Sequence, residues 1–338
     1  MTKTLTLGQI GCGYWGPNLL RTFRELPGAR LKWLCDLKPG RLEWARERNP
    51  GLQTTEDYRV ILSDPEVDAV LVATEVVTHH ALARAALEAG KHVFVEKPLT
   101  NSTEQARDLA ALAKGRGLTL GVGHVFLYHP AFRALKAALV PERLGRLYAA
   151  DLVRINPGPP APKHNVLWDM APHDVAMAID LAGCAPVMVR ASGHAYQRPD
   201  VADAAFMELH FPGNVLARVH VSWLSSRRIR RVEVYAERGS AFYDDTESFE
   251  KVRIVSRGED TRVGAKAKDS HALYYGAGDI HIPALPPEEP LRKECADFLD
   301  AVREGRQPFS GPDSGVRVVE VLEAACESLK HDGEAVKP

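Results

Sequence analysis

Two short motifs place titratable side chains where they could move a proton. Lys97 stands in Glu96-Lys97-Pro98, directly after an apolar, strand-like run, and Asp169 and His173 are four residues apart. That spacing puts Asp169 and His173 on one face of a helix. An imidazole can take a hydroxyl proton as a general base, a carboxylate can orient it, and a partly buried lysine can serve in the same task. On position and spacing alone, a surface lysine, a capping aspartate and a core histidine are the simpler interpretation.

A third motif has the form that binds a dinucleotide. Gly11, Gly13 and Gly16 make a GxGxxG sequence between a strand-like run and a helical pattern. Such glycines allow a tight turn, close approach of the backbone to a pyrophosphate and close packing of the helix on the strand. The first turn of the helix then offers free N–H groups to phosphate. The glycines, strand and helix in register predict dinucleotide binding.

Asp36 ends the next strand-like run and bears on which dinucleotide is bound. A carboxylate there accepts hydrogen bonds from a ribose 2′-hydroxyl and repels a 2′-phosphate, so it favours NAD. Lys38 and Arg41 are close in sequence and keep NADP as an alternative, although solvated surface charge explains them equally well.

The elements that must position these motifs alternate over the first part of the chain. Strand-like runs at 5–10, 31–35, 68–73, 92–95 and 118–122 are separated by helical patterns. This alternation predicts a parallel sheet of βαβ units, whose ligands collect at the carboxyl ends of the strands. Ser102 and Gln105 have the form of a capping box for a helix that runs to about Lys114.

From about residue 145 polar and apolar residues alternate, which is typical of an antiparallel sheet with one solvated face. These runs occupy 146–154, 187–196, 204–211, 215–223 and 231–235. One helix, at about 168–181, interrupts them and carries Asp169 and His173, and Pro172 requires that this be its first turn. Helical patterns return at about 291–304 and 315–329.

We therefore predict an α/β fold with two domains. Residues 1–122 would form a dinucleotide-binding domain, and residues 123–338 an α+β domain with a mostly antiparallel sheet. The helices within about 291–330 are expected to pack back toward the first domain.

Composition excludes several classes of protein. The 338 residues are 45% hydrophobic and 26% charged, which suits two globular domains. The net charge of -1 argues against nucleic acid or a membrane surface as the main partner. Five cysteines without a CxxC pair, and no signal-peptide pattern, favour a cytoplasmic protein without a disulfide framework. No cysteine or third histidine joins Asp169 and His173 at ligand spacing, so we expect no metal.

Taken in order, the motifs resemble those of the Gfo/Idh/MocA oxidoreductases. The resemblance is carried by Gly11 to Gly16, Thr74…His79, the run from Ala89 to Pro98, and Asp169-x-x-x-His173, and it extends over essentially the whole chain. It implies that residues 1–122 form a Rossmann NAD-binding domain and that the sheet of residues 123–338 is large and open and supports a substrate pocket and oligomer contacts, in a homodimer or homotetramer. It also implies that Lys97, Asp169 and His173 face the nicotinamide. The implied cofactor-binding residues are Gly11, Gly13, Tyr14, Trp15, Gly16, Asp36, Thr74, His79, Glu96 and Lys97.

The chain departs from the common family pattern in three places. Glu75 follows Thr74 where proline is usual, Ala176 stands where an aspartate often follows the histidine, and the segment 124–130 replaces a common arginine. These departures, with the segments 13–18, 165–174 and 221–224, are similar to the bacterial UDP-N-acetylglucosaminuronate 3-dehydrogenases and their relatives in nucleotide-sugar pathways.

That similarity implies reversible hydride transfer between C3 of a sugar, in a nucleotide sugar of this kind, and the nicotinamide. His173 is expected to be the base with Lys97 on the same oxygen, or the two roles are exchanged. Asp169 would hold a sugar hydroxyl or position His173. The alternatives are another nucleotide-sugar ketoreductase, an inositol or free-sugar dehydrogenase, or a non-enzymatic NAD(P)-sensing regulator.

An anionic nucleotide sugar needs cationic or amide partners. We predict Arg154 and Asn165 as sugar contacts, near Lys163 and His164 beside a proline-rich loop. Tyr128 and Trp168 are candidates to pack on the sugar or nucleotide, with core packing as the alternative that we favour for Trp168. A basic cluster either binds pyrophosphate or forms a solvated or subunit-facing edge; it comprises Arg227, Arg228, Arg230 and Arg231.

Overall fold

The computed structural model describes residues 3–158, 164–257 and 277–338, which divide into two compact units. Unit 1 contains the described residues up to Tyr128 together with Glu288–Glu323. Unit 2 contains the described residues between His129 and Pro287 together with Ala324–Pro338. The sequence places the boundary after residue 122, whereas unit 1 continues to Tyr128.

Unit 1 is built on a six-stranded sheet in the order β3-β2-β1-β4-β5-β6. Its strands are β1 (Leu5–Ile10), β2 (Ala29–Cys35), β3 (Gln53–Thr55), β4 (Ala69–Val72), β5 (His92–Glu96) and β6 (Leu120–Gly123). Every neighbouring pair is parallel. In this doubly wound order, ligands bind beyond the carboxyl ends of the strands, where the strand order reverses.

Unit 2 is built on an eight-stranded sheet in the order β14-β13-β12-β11-β7-β10-β9-β8. Its strands are β7 (Leu147–Ile155), β8 (Met188–His194), β9 (Ala204–Phe211), β10 (Val215–Ser222), β11 (Ile229–Ala236), β12 (Gly239–Asp244), β13 (Val252–Arg257) and β14 (Ala277–His281). Only β7 and β10 pair in parallel among these strands. The two sheets confirm the predicted α/β fold with a mostly antiparallel second sheet.

Helices complete both units. They are α1 (Gly16–Glu25), α2 (Pro39–Arg48), α3 (Tyr58–Ser63), α4 (Val76–Glu88), α5 (Thr103–Gly115), α6 (Pro130–Ala137), α7 (Val166–Ala182), α8 (Pro290–Glu304) and α9 (Pro312–Lys330). Helix α7 packs on β7, β9 and β10, and the outer face of that sheet exposes Phe206 and Tyr235. Among the described helices, none is long and apolar enough to cross a bilayer.

The core of unit 1 joins early and late parts of the chain. Phe94 of β5 makes edge-on ring contacts with Phe23 of α1 and Phe298 of α8, with centroids 6.0 and 5.5 Å apart. Helix α8 also packs on the 3₁₀ turn Val125–Tyr128, which explains why unit 1 extends past β6. Burying such aromatic side chains contributes about 1.5–3 kcal/mol each.

Helix α7 begins earlier than its sequence pattern indicates. Asn165 caps it, with Oδ1 accepting a hydrogen bond from the Trp168 amide at 3.2 Å, so the first helical residue is Val166. Pro172 therefore lies in the second turn, and the prediction that it lies in the first turn is wrong. Because proline has no N–H, the Trp168 carbonyl lacks the intrahelical donor that position 172 would otherwise supply.

Candidate active site

The glycine loop after β1 has the geometry of a dinucleotide cradle. Gly11 has φ +97°, and a Cβ there would lie 2.4 Å from the Ala73 carbonyl oxygen. At Gly16 a Cβ would lie 2.7 Å from the Gly11 oxygen, so α1 can approach β1 only without a side chain. At Gly13 a Cβ would have Arg41 Nη1 as its nearest neighbour, at 3.9 Å, so the space beside this glycine has room for a pyrophosphate. The first turn of α1 has no side-chain cap, but position 17 is proline and the Asn18 amide donates to the Trp15 carbonyl oxygen at 2.9 Å, so the amide that the start of this helix offers to phosphate is that of Gly16.

Gln9 is a functional residue that the sequence analysis missed. Its side chain is fully buried at the end of β1, where Nε2 donates hydrogen bonds to the carbonyl oxygens of Gly11 at 2.8 Å and Gly16 at 3.0 Å. These two bonds tie the start of the glycine loop to the start of α1. The available signal was an amide side chain next to Ile10 in a buried strand of a parallel sheet.

Replacing Gln9 by leucine is expected to weaken NAD binding by up to about thirtyfold, because two hydrogen bonds worth about 1 kcal/mol each no longer hold the loop. Titration of the variant and the parent with NAD by calorimetry measures the change. Gln53, which is exposed on β3, supplies the matched control as Gln53→Leu. Equal NAD affinity in Gln9→Leu and the parent would contradict the bracing role.

Asp36 is held at the carboxyl end of β2. Its Oδ2 accepts hydrogen bonds from the Cys12 amide at 2.7 Å and Arg41 Nη1 at 3.1 Å, and its Oδ1 accepts one from the Lys38 amide at 2.9 Å. The carboxylate therefore lies beside the glycine loop, where a ribose hydroxyl is expected. Arg41, the predicted alternative partner of a 2′-phosphate, is paired with Asp36. Tyr14 and Trp15 lie in the loop with 96% and 36% of their surface exposed.

His79 braces the backbone near the cofactor site. Its ring is 1% exposed, with Nδ1 2.9 Å from the Pro98 carbonyl oxygen and Nε2 3.2 Å from the Thr74 carbonyl oxygen. Burial lowers the pKa of His79, and the hydrogen bonds to the backbone at Pro98 and Thr74 oppose that shift. This geometry joins the segments after β4 and β5, and because the ring is enclosed, the predicted part of His79 in cofactor binding would be to hold these segments in place. Thr74 is half-buried, and its hydroxyl lies 2.7 Å from that of Thr78.

Lys97 follows β5 between two buried titratable groups. It is half-buried, whereas Glu96 is 9% and His124 1% exposed. Glu96 Oε2 accepts a hydrogen bond from the Lys97 amide at 3.2 Å. Burial raises the pKa of Glu96 to about 7 against the opposing charge of Lys97. Burial, with that same charge, lowers the pKa of His124 to about 3. Lys97 thus has a neutral imidazole and a carboxyl that titrates near neutrality as neighbours.

Helix α7 presents Asp169 and His173 one turn apart. Asp169 is exposed, and its Oδ2 accepts a hydrogen bond at 3.1 Å from Nε1 of Trp223, a side chain that is 5% exposed. His173 is half-buried. The indole of Trp223 fixes the direction of the Asp169 carboxylate, a group that can orient an imidazole or a hydroxyl.

Arg154 has a role different from the predicted sugar contact. It is 5% exposed and forms an ion pair with Asp174, which is 1% exposed, at 2.5 Å from Nε to Oδ2 and 3.3 Å from Nη2 to Oδ1. Burial raises the pKa of Asp174, and the charges of Arg154 and Arg230 oppose that shift. A guanidinium committed to a buried carboxylate is not available to a sugar, so the prediction for Arg154 is not supported by this geometry.

Two other predicted substrate contacts are also engaged within the protein. Asn165 uses Oδ1 to cap α7, and its Nδ2 lies 3.6 Å from Cys326 Sγ. The Tyr128 hydroxyl donates to Asp297 Oδ2 at 2.8 Å and accepts from the Ser310 amide at 3.0 Å, in a side chain that is 9% exposed. Both side chains thus have partners within the protein that the sequence does not reveal, and the sugar contact of Asn165 and the packing of the Tyr128 ring on the sugar or nucleotide stay predictions.

The remaining candidates are placed as follows. Trp168 and His164 are half-buried, and Lys163 lies outside the described residues. In the basic cluster, Arg230 pairs with Asp245 at 3.2 Å and Arg231 approaches Asp244 at 3.9 Å, which reduces the charge available to a pyrophosphate. Within 3–158, 164–257 and 277–338, no group of three or more His, Cys, Asp or Glu residues has a metal-binding arrangement.

Comparison with family models matches both parts of the chain. Residues 5–124 match the oxidoreductase family GFO_IDH_MocA with its NAD-binding Rossmann fold, and residues 132–242 match the GFO/IDH/MocA C-terminal domain.

Similar proteins include enzymes with different substrates. The UDP-N-acetylglucosamine 3-dehydrogenase of Acidithiobacillus ferrooxidans is 31% identical, over 92% of this chain and 93% of that protein. The scyllo-inositol 2-dehydrogenase (NAD(+)) of Bacillus subtilis is also 31% identical, over 97% of this chain and 93% of that protein. The crystal structure of GenD2 from gentamicin A biosynthesis, in complex with NAD, has a TM-score of 0.83 and 28% identity and covers all of this chain and 97% of that one.

Proposed function

The chain belongs to the Gfo/Idh/MocA family of NAD-binding oxidoreductases, and we propose that it reversibly oxidises the C3 hydroxyl of a nucleotide sugar. The coarser activity, that of an NAD-dependent sugar or polyol dehydrogenase, is the activity named for its relatives. The proposal for this chain rests on what each unit contains: unit 1 has a dinucleotide cradle and Lys97 at the end of β5, and unit 2 has a carboxylate–histidine pair on α7.

The described residues suit NAD. The cradle of Gly11, Gly13 and Gly16 receives the pyrophosphate, and Asp36 at the end of β2 receives the ribose hydroxyls. When bound, the nicotinamide supplies the hydride acceptor and donor for the reaction. The protein contributes orientation of the carbinol carbon and a path for its proton.

We assign the proton chemistry to His173 and Lys97. His173 takes the proton of the C3 hydroxyl, and Lys97 donates a hydrogen bond to the same oxygen, which stabilises the developing ketone; the exchanged assignment is the alternative. Asp169, directed by Trp223, holds His173 or a neighbouring sugar hydroxyl in place. In the reverse direction the same groups return the proton.

The substrate proposal is a UDP-sugar close to UDP-N-acetylglucosaminuronate. Support comes from the sequence features of that branch and from a UDP-N-acetylglucosamine 3-dehydrogenase among the relatives. The engaged positions of Arg154, Asn165 and Tyr128 leave binding of the anionic part to other residues. Arg227 and Arg228, exposed before β11, are the candidates that the described residues offer.

NAD reduction with a substrate panel tests the proposal. UDP-N-acetylglucosaminuronate and UDP-N-acetylglucosamine are compared with myo-inositol and scyllo-inositol at equal concentration, and NADH formation is followed by absorbance. Faster reduction with either UDP-sugar is the expected result. Inertness toward both would refute the nucleotide-sugar proposal.

A polyol dehydrogenase is the second candidate, because the scyllo-inositol enzyme is as similar to this chain as the UDP-sugar enzyme. Reduction of NAD with an inositol alone would establish it. A regulator that only senses NAD(P) would bind the dinucleotide and reduce it with no member of the panel.

A further inference from the structure

Glu294 is a buried carboxyl in unit 1 that the proposed reaction does not use. It lies on α8 and is 1% exposed, and neither of its oxygens has a hydrogen-bond partner among the described residues. Buried polar groups are nearly always partnered, and a buried isolated carboxylate is costly. A carboxyl kept in such a place calls for a physical explanation.

The packing of α8 on β5 brings Glu294 toward Glu96. Glu294 and Phe298 are four residues apart on one face of α8, and Phe94 and Glu96 are two residues apart on one face of β5. Phe94 and Phe298 are in ring contact, with centroids 5.5 Å apart. The next pair along the same interface, one helical turn and one strand repeat away, is Glu96 and Glu294.

The neighbouring strand β6 leaves room for this pair. A Cβ at Gly121 would lie 2.9 Å from Phe298 Cδ2, and one at Gly123 would lie 2.8 Å from Glu96 Oε2. Glycine at both positions therefore makes space first for the aromatic contact and then for the Glu96 carboxyl. We call Glu96 and Glu294 the carboxyl pair.

The charge of ionised Glu96 acts on Glu294. Burial raises the pKa of Glu294 well above its usual range, and the charge of Glu96 raises it further. Burial raises the pKa of Glu96 to about 7. Two neighbouring buried carboxyls do not both ionise near neutral pH, so the first proton of the pair leaves Glu96 close to neutrality while Glu294 stays protonated beside it.

Other charged or titratable groups face the carboxyl pair from every element around it. Lys97 supplies a positive charge at the end of β5, and a hydrogen bond with the Trp15 side chain also favours ionised Glu96. The other groups are His124 after β6, Tyr128 of the 3₁₀ turn, and Asp297 and Cys295 of α8. Arg21 and Glu289 lie farther along the same region, and their charges act on Cys295. His124 is neutral throughout the range considered, and Asp297 is bound to the Tyr128 hydroxyl and Arg306.

The position of β5 relates the carboxyl pair to the cofactor. In the doubly wound order, β1 and its glycine loop hold the pyrophosphate, and the half of the sheet from β4 to β6 holds the second nucleotide, which carries the nicotinamide. The nicotinamide ring is positively charged when oxidised and neutral when reduced. A negative charge on Glu96 therefore favours the oxidised form over the reduced form.

We propose that the carboxyl pair releases one proton when oxidised NAD binds and keeps it when NADH binds, with Glu294 as the positioning residue that sets the pH at which Glu96 ionises. The O–H bond of the Glu96 carboxyl breaks, its electron pair stays on the carboxylate, and the proton goes to solvent. No electron transfer accompanies this step. The proposal rests on the proposed function only in assuming that this chain binds NAD.

The test is binding of each dinucleotide in the absence of any sugar. Affinities for NAD and NADH are measured by calorimetry between about pH 5.5 and about pH 8.5, in buffers of different ionisation enthalpy, which counts released protons. NAD binding is expected to tighten about tenfold across this range, since one pKa unit of coupling is a tenfold change, while NADH affinity stays within about twofold.

Four variants distinguish a titrating role of the carboxyl pair from a purely structural role. Glu96→Gln is expected to remove the pH dependence of NAD affinity. Glu294→Leu is expected to raise the midpoint of the pH dependence of NAD affinity by about one pH unit, because Glu96 loses its polar neighbour. Glu294→Gln keeps a neutral polar side chain there, so its midpoint is expected to stay within about half a unit of the parent's. Glu304→Gln removes an exposed carboxylate at the far end of α8 and is expected to match the parent.

The outcomes are distinct. Unchanged pH dependence in Glu96→Gln, or the same midpoint in Glu294→Leu and Glu294→Gln, would overturn the proposal. Equal pH profiles for NAD and NADH in the parent would also overturn it while leaving the dehydrogenase function intact. If the parent bound neither dinucleotide at any pH, the proposed function itself would be refuted.

Discussion

Replacing His173 by asparagine is expected to lower kcat by about 10²- to 10⁴-fold, with the sugar or polyol that the substrate panel identifies. The side chain is half-buried one turn after Asp169, and its loss removes the proposed acceptor of the hydroxyl proton. NAD affinity is expected to stay within about twofold, because dinucleotide contacts are assigned to unit 1. Steady-state rates and direct NAD titration of the variant measure both effects.

The same experiment on Lys97→Met distinguishes the two assignments of the base. If His173 is the base, the acid limb of the kcat/KM profile disappears in His173→Asn and persists in Lys97→Met; the reverse result exchanges the roles. Asp180→Asn, near the C-terminal end of α7 and paired with Lys136, is the control on the same helix. Near-normal turnover in both His173→Asn and Lys97→Met would refute the site.

Removing the guanidinium of Arg154 is expected to be the most destabilising single change in unit 2. Arg154→Met leaves Asp174 buried without its partner, which costs about 3–5 kcal/mol of unfolding free energy. The double variant Arg154→Met/Asp174→Leu removes both charges and is expected to recover most of that loss, since apolar replacement of a buried pair is often neutral. Urea unfolding followed by tryptophan fluorescence measures all three proteins.

The same sheet offers a matched control. Arg218 of β10 pairs with Asp151 of β7 through two contacts of 2.7 Å, but the Arg218 side chain is 63% exposed. Arg218→Met should therefore cost less than about 1 kcal/mol. If the costs of Arg154→Met and Arg218→Met were equal, burial would not be what makes the Arg154–Asp174 pair important.

The elements that hold the cofactor could be predicted closely from the sequence. β1 and β9 have the predicted bounds, and Ser102 caps α5 by accepting a hydrogen bond from Gln105 N at 3.2 Å. Strands β3 and β12 to β14 and helices α3 and α6 were missed. These elements are short, or their sequences lack a strong period, so their formation depends on neighbours distant in sequence.

Side-chain partners were the less predictable part of the site. Local spacing placed Asp169 and His173 on one helix face, because the helical repeat alone determines that. The Arg154–Asp174 ion pair depends on how α7 lies on β7, and the Tyr128–Asp297 bond depends on α8 reaching the 3₁₀ turn. Contacts of this kind are determined by tertiary packing, which no short-range pattern in the sequence encodes.

Helix α8 lies near the end of the sequence, which has a consequence for folding during protein synthesis. One face of the β1–β4–β5 sheet and α1 is completed by Leu291, Cys295, Phe298 and Leu299, so the residues that cover Phe94 are made long after it. While the ribosome is still translating unit 2, the emerging nucleotide-binding half has an uncovered apolar surface. A chain that ends before α8 is therefore expected to expose this apolar surface and to aggregate more readily than the full chain.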